Sequence, residues 1–362
     1  MDDKTSYLVL AMEFNPIREG WTADDRLRSL AISGLADRLG VNPGSLPAEE
    51  ASRLEEELAV IRERGCVAAF LMVADMVSAM RHKGIPVAAG RAKTPSSLVN
   101  YAMGIVDVNP LEYGLLSMEF LNPWTRSVPT FVVEFGKGGA QEAASFLQGK
   151  YGIAPSEILG SKVGYQCPGA MLEIIENPAL TGSGICDVAG LPASFFLHCA
   201  SMLTDGEGHP LDNVLNGFTP TSFMDLAIAY SIAQLPGRDE RLYLLADLKE
   251  SYGNRPVRYE WEGRLSESYG YLVFKEQAEI LGSTVGGLDP ERSWRLADAA
   301  MKCKRERLAD VREDFMSLGV ATGHDAGSLE RCWDMIVTDG KMAYSRSHAV
   351  GVVMTCCRMA AK

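Results

Sequence analysis

The chain has 362 residues, 47% of them hydrophobic and 23% charged. That is the composition of an ordinary soluble protein, long enough to bury a large core in one or two domains plus a small insert. Its net charge of −12 weighs against strong nucleic-acid binding, which calls for concentrated lysine and arginine.

Several cellular classes are also disfavoured. No window is apolar over the length of a membrane span, and the N-terminus has neither the basic start nor the apolar stretch of a secretory signal. The eight cysteines include no Cys-x-x-Cys pair, so free thiols in a reducing cytoplasm and no membrane partner are expected.

Taken in order, residues 7–17 form a strand or an extended arm, because Tyr7 to Leu10 is short and apolar. Thr22 starts a helix with Asp24 and Asp25 in its first turn; Leu27, Leu30, Ala31 and Leu35 recur at helical spacing, and Gly40 ends it. Pro47 opens a second helix through Arg64, with Leu54, Leu58 and Ile61 on one face and Arg53 to Glu57 as an i,i+4 pair. Residues 70–80 are an apolar helix closed by Lys83 and Gly84, 85–87 a short strand, and 96–103 a helix. Residues 128–135 read as a buried strand and 136–139 as a hinge. Short helices are predicted at 141–149 and 170–176, a glycine-rich loop at 182–190, and an apolar strand at 193–199. Helices follow at 222–234 and 242–251, and the rest is mostly helical.

A few residues carry chemistry on their own. Glu134, beside Val132 on a buried strand, needs a partner, Arg91 or Arg126, or else a raised pKa. Asp107 precedes Pro110 in a turn, where aspartate favours local backbone bonds. Lys302, Lys304, Arg305, Arg307 and Arg312 form one basic cluster, diluted by Glu306, Asp310 and Glu313; it is a solvated helix face or a DNA-facing patch. His198, Cys199, Asp205 and His209 lie close in sequence, but their spacing fits no zinc pattern. No nucleophile elbow, Rossmann fingerprint or P-loop occurs.

Longer stretches carry a family resemblance. Phe70 to Asp75 is followed by Gly84, Ile85, Pro86 and Val87, and then by Gly90 and Arg91. Next come Ser97 to Ile105, Asp107 to Leu116, and Glu119, Phe120, Leu121, Asn122 and Pro123. Further on stand Lys150, Tyr151 and Gly152; Ser222 to Leu226 with Leu235, Pro236 and Gly237; Tyr269 to Gln277; and Ser345, Arg346, Ser347, His348 and Ala349. In this order they resemble the bacterial DNA polymerase III alpha subunits, the C-family replicative polymerases.

That resemblance implies an α/β (α+β) fold with a nucleotidyltransferase-like palm, a reduced thumb insert and a mostly helical fingers part. In its terms the chain divides into an N-terminal arm and helical lead-in (1–64), a first part of the palm (65–135), a thumb-like insert (136–190), a palm return (191–220) and a fingers-like helical region (221–362).

The departures fall on ligand-contacting positions. In the family the palm strand reads Pro-Asp-x-Asp-x-Asp-Phe and its acidic residues hold two magnesium ions; here those slots fall on Thr130, Val132 and Glu134. The family's phosphate loop, Gly-Pro-Gly-Arg-Gly-Ser-x-x-Gly-Ser, becomes residues 88–97, where only one of its four glycines remains and Pro95 removes an amide donor. The third metal-binding aspartate has no counterpart between His209 and Thr219. The paired triphosphate-binding arginines align with Asp298 and Ala299. The family's N-terminal phosphoesterase-type domain and its C-terminal DNA- and clamp-binding regions have no counterpart either.

The resemblance therefore implies a catalytically inactive, cytoplasmic polymerase III alpha-like protein that acts as a replication- or repair-associated binding module. Primed DNA or replisome proteins are the implied partners, and no cofactor is expected. Gly90, Arg91, Lys93, Ser97, Arg346 and His348 would be remnants of phosphate or nucleotide binding, and Lys302, Lys304, Arg305 and Arg307 candidates for DNA contact. The alternatives are a diverged magnesium-dependent nucleotidyltransferase using Glu134, and a scaffold reused for an unrelated protein or ligand. Plain structural roles compete at each position: a surface turn for Arg91 and Lys93, an ion pair for Glu134, and a packed histidine behind a capping serine for His348.

Overall fold

The computed structural model describes residues 21–159, 162–182, 186–205, 207–252 and 259–361. The expected strand or arm at 7–17 lies outside the described residues. The chain divides into two compact units. One comprises the described residues up to Asp187 together with those from Val350 onward; the other runs from Val188 to Ala349. The protein is mixed α/β and mostly helical, with one four-stranded sheet.

The first unit opens with α1 (Ala23–Leu39). Thr22 and Asp25 form a reciprocal capping box, and Gly40 ends the helix in the left-handed conformation. Helix α2 (Ala48–Glu63) turns Leu54, Leu58 and Ile61 inward. Helix α3 (Val67–His82) is apolar nearly all round, and most of its residues are buried, as befits the central helix of a core. After the short α4 (Leu98–Ala102) comes strand β1 (Thr130–Phe135), then α5 (Gly139–Tyr151). Strands β2 (Glu157–Leu159), β3 (Lys162–Cys167) and β4 (Ala170–Glu176) complete the sheet. Its order is β1-β4-β3-β2; β1 and β4 are parallel and the other pairs antiparallel.

Three segments differ from the sequence reading. Residues 170–176 form β4 rather than a helix. Ala170, Leu172 and Ile174 are buried while Met171, Glu173 and Ile175 are half-buried, a period of two. Gly169, at φ +75°, turns β3 back onto β4. Conversely, residues 193–199 lie within helix α6 (Ala193–Met202), which follows Pro192 and buries Phe196, Cys199 and Ala200 at helical spacing. Short apolar runs look alike for strand and helix, and in each case the neighbours decided. The short strand expected at 85–87 is reduced to a single antiparallel bridge between Val87 and Phe135.

The second unit continues with α7 (Phe223–Ala233), α8 (Arg238–Ser251), α9 (Lys275–Thr284), α10 (Pro290–Met301), α11 (Arg305–Ala321) and α12 (Ala326–Asp339). Helix α13 (Arg346–Ala360) starts in this unit, and its residues from Val350 belong to the first. Leu281, Leu296, Phe315, Leu329 and Ile336 form the centre of the second core. Asp225 accepts from Thr221, from Lys249 Nζ at 2.6 Å and from the Tyr269 hydroxyl. Among the described residues no helix is long and apolar enough to cross a membrane.

Candidate functional site

Strand β1 has two chemically different faces. Phe131, Val133 and Phe135 point into the core, where the Phe131 ring meets Phe70 and Phe120 edge-on, both at 5.0 Å. Thr130, Val132 and Glu134 alternate onto the other face. Arg64 steadies the entry to this strand by donating to the carbonyls of Asn122 at 2.9 Å and Ser127 at 2.8 Å, and to that of Thr125.

Glu134 is 5% exposed and fully engaged. Arg91 Nε lies 3.2 Å from its Oε2, and Asn177 Nδ2 donates to its Oε1 at 2.6 Å. Of the two arginines the sequence offered, Arg91 forms the ion pair; Asn177, just past the end of β4, carried no local signal. A buried carboxylate without such partners would be costly.

The loop facing β1 is tied down residue by residue. Thr94 Oγ1 accepts the Val132 amide at 2.9 Å and donates to the Val132 carbonyl at 3.3 Å, so a side chain stands in for a neighbouring strand. Lys93 Nζ pairs with Glu119 at 2.9 Å. The amides at the start of α4 are already engaged. Glu57 takes the Ser97 hydroxyl at 2.7 Å and the amides of Leu98 and Val99 at 3.0 and 3.2 Å, while also pairing with Arg53 at 2.6 Å. Gly90 persists for a steric reason, because a Cβ there would stand 2.4 Å from Pro95 Cγ. Ala92 occupies the left-handed region at φ +50°, a conformation that suits glycine.

Asp107 does not make the local backbone bonds expected of it; Asn109 accepts the Leu111 amide instead. Asp107 receives three guanidinium groups: Arg38 at 3.2 Å, and Arg81 and Arg358 at 2.9 Å each. Burial pushes this carboxyl up, but Arg81, Arg38 and Arg358 together outweigh it and hold it below the ordinary aspartate range. All three arginines lie in the last turn of a helix, where cations are favoured. No local sequence pattern pointed to this cluster.

In the second unit, Arg346 is 7% exposed and forms a fork with Glu267 at 2.7 and 2.6 Å. Glu276 accepts the amides of Arg346 and Ser347. His348 packs between Tyr230 and Tyr344. Asp298 pairs with Lys302 at 2.7 Å and lies 3.9 Å from Arg307, whereas Lys304 and Arg305 are exposed at the start of α11.

Among the described residues, one group of three His, Cys, Asp or Glu side chains has ligand atoms within 4.8 Å of one another: Asp205, Glu207 and His209. Arg238 Nη2 stands 3.2 Å from Asp205 and 3.4 Å from Glu207, so a guanidinium already offsets part of that charge. Burial pushes the Cys332 thiol up to about 12.

Comparison with known proteins defines the class. The family described as "Bacterial DNA polymerase III alpha NTPase domain" matches residues 25–159, the stretch that holds α1, the loop and β1. The chain is a relative of the bacterial DNA polymerase III alpha subunits. It is 35% identical to DNA polymerase III subunit alpha of Aquifex aeolicus over 503 aligned positions, which cover 96% of this chain and 43% of that protein. The Bacillus subtilis subunit is 23% identical over 95% of this chain and 42% of its own length. That of Pseudomonas fluorescens is 36% identical over 38% of this chain and 12% of its own. The chain thus spans about two fifths of the length of the relatives it matches end to end. The Aquifex alignment is longer than the chain itself, so that relative carries well over a hundred residues with no counterpart here.

Proposed function

We propose that this chain is a catalytically inactive relative of the DNA polymerase III alpha subunit, acting as a binding module in DNA replication or repair. One observation carries the reading. Three side chains of the loop that would face a triphosphate are each matched by a carboxylate of the same unit: Arg91 by Glu134, Lys93 by Glu119, and Ser97 by Glu57. The metal side is equally poor. Two-ion phosphoryl transfer needs several anionic oxygens around both ions; the face of β1 offers Thr130, Val132 and one glutamate already bound to Arg91 and Asn177. That donor set does not fit a pair of magnesium ions.

Primed DNA or replisome proteins are the partners this reading favours, with the exposed Lys304 and Arg305 as phosphate contacts. Primer extension with magnesium or manganese tests it. No template-dependent incorporation is expected; incorporation that Glu134→Gln abolishes overturns the reading.

One observation favours a second reading, a diverged magnesium-dependent nucleotidyltransferase. Glu173 is the register partner of Val132 on β4 and shares the face of Glu134, although it pairs with Lys162 at 2.5 Å. On that reading Glu173→Gln and Glu134→Gln each abolish a measurable nucleotidyl transfer.

A further inference from the structure

We propose that Glu119 and Glu134 are built-in occupants of the loop over residues 90–97, holding the two cations that a polyphosphate would otherwise engage. This rests on the reading of the chain as inactive and gives it a cause: the cations are still present but intramolecularly neutralised. Both carboxylates are buried, with side chains 1% and 6% exposed, whereas Lys93 and Arg91 are 43% and 30% exposed. The geometry therefore places two anions beneath the loop and draws the heads of two cations down onto them. Glu134 is held by β1 and by Asn177, and Glu119 sits in a single helical turn ahead of Phe120, which packs on Phe70 and Phe131. Neither can swing away without disturbing the core.

A triphosphate approaching the loop meets cations that are already paired, with fixed negative charge behind them. Charge-assisted hydrogen bonds to phosphate are the main source of affinity in such loops, and exchanging one carboxylate partner for another anion yields little net gain. The backbone reinforces this. The Thr94 hydroxyl is bonded to both backbone polar groups of Val132, and just ahead of the loop the Ala89 amide donates to Thr355 Oγ1 at 2.9 Å, so a hydroxyl of the loop and an amide at its entry are also engaged internally. Removing the two negative charges while keeping their shape uncovers Arg91 and Lys93 for an external polyanion.

The test is calorimetric titration of the native chain and of the Glu119→Gln, Glu134→Gln double variant with dATP and with inorganic tripolyphosphate, at low ionic strength and without metal. The double variant is expected to bind both at least about tenfold more tightly than the native chain, and Arg91→Gln together with Lys93→Gln added to it is expected to remove the gain. A double variant with an unchanged circular-dichroism spectrum that binds no more tightly overturns the proposal, as does a gain that survives Arg91→Gln and Lys93→Gln together. If the double variant does not fold, Glu119→Gln alone, whose partner Lys93 is nearly half exposed, must show a smaller gain that Lys93→Gln abolishes; no gain overturns the proposal. Primer extension separates the two levels. A native chain that extends primers removes the inactive reading, whereas an inert native chain whose variants gain no affinity removes only this inference.

Discussion

Asp107 shows how much one side chain can hold together. Its carboxylate joins the last turns of α1, α3 and α13 through Arg38, Arg81 and Arg358. Replacing it with asparagine leaves three guanidinium groups without their anion, and removing one partner of such a buried set costs about 3–5 kcal/mol. Urea denaturation of Asp107→Asn at neutral pH measures this loss. The pH dependence has a definite sign. A carboxyl held below its ordinary pKa in the folded state binds fewer protons there than in the unfolded chain. Its contribution is therefore complete above about pH 4, the unfolded value, and is lost as pH falls through the lower folded value. Native stability is expected to fall more steeply than that of the asparagine variant in this acidic range. A second prediction concerns Ala92, strained at φ +50°. Ala92→Gly is expected to stabilise by roughly 0.5 kcal/mol, since relief of about 1 kcal/mol of left-handed strain is partly offset by added freedom of the unfolded chain. The urea midpoint reads it.

At the scale of elements, β1 is the organising strand. It is anchored by Phe131 in an aromatic group with Phe70 and Phe120, and its parallel partner β4 is reached through α5 and the antiparallel β2 and β3. Phe131→Ala is expected to destabilise the first unit by about 3–5 kcal/mol, the transfer loss plus the cavity left behind, as measured by denaturant titration. The helices α1, α2 and α3 were legible because capping residues and long apolar periodicity are local signals. Strand β4 and helix α6 were exchanged in the sequence reading because each is a short apolar run. What made β4 a strand was a hairpin at Gly169 and an edge of β1 to pair with; what made α6 a helix was a packing face at Phe196, Cys199 and Ala200.

For the whole chain, a net charge of −12 opposes any polyanion at long range, whatever the local basic patch does. If the exposed start of α11 contacts DNA phosphates, binding to primed DNA is weak, falls as salt rises, and loses about two units of its log–log salt slope in the Lys304→Gln, Arg305→Gln double variant. Mobility shifts at several salt concentrations measure that slope. A slope that the variant leaves unchanged places the contact elsewhere.

By itself the sequence established the kinship and the presence of threonine and valine, not acidic residues, at positions 130 and 132. Motif order survives divergence, and a valine or threonine cannot become an anionic metal ligand whatever surrounds it. It also located the helices whose caps and apolar faces lie within a few residues of each other. Only the tertiary structure decided what the remaining charged groups do. Arg91 with Glu134, Lys93 with Glu119, Ser97 with Glu57, and Asp107 with its three arginines are pairings between distant segments. The physical reason is that a buried ionic group is satisfied by whichever partner the packing brings within about 3 Å, and that distance is not encoded in spacing along the chain.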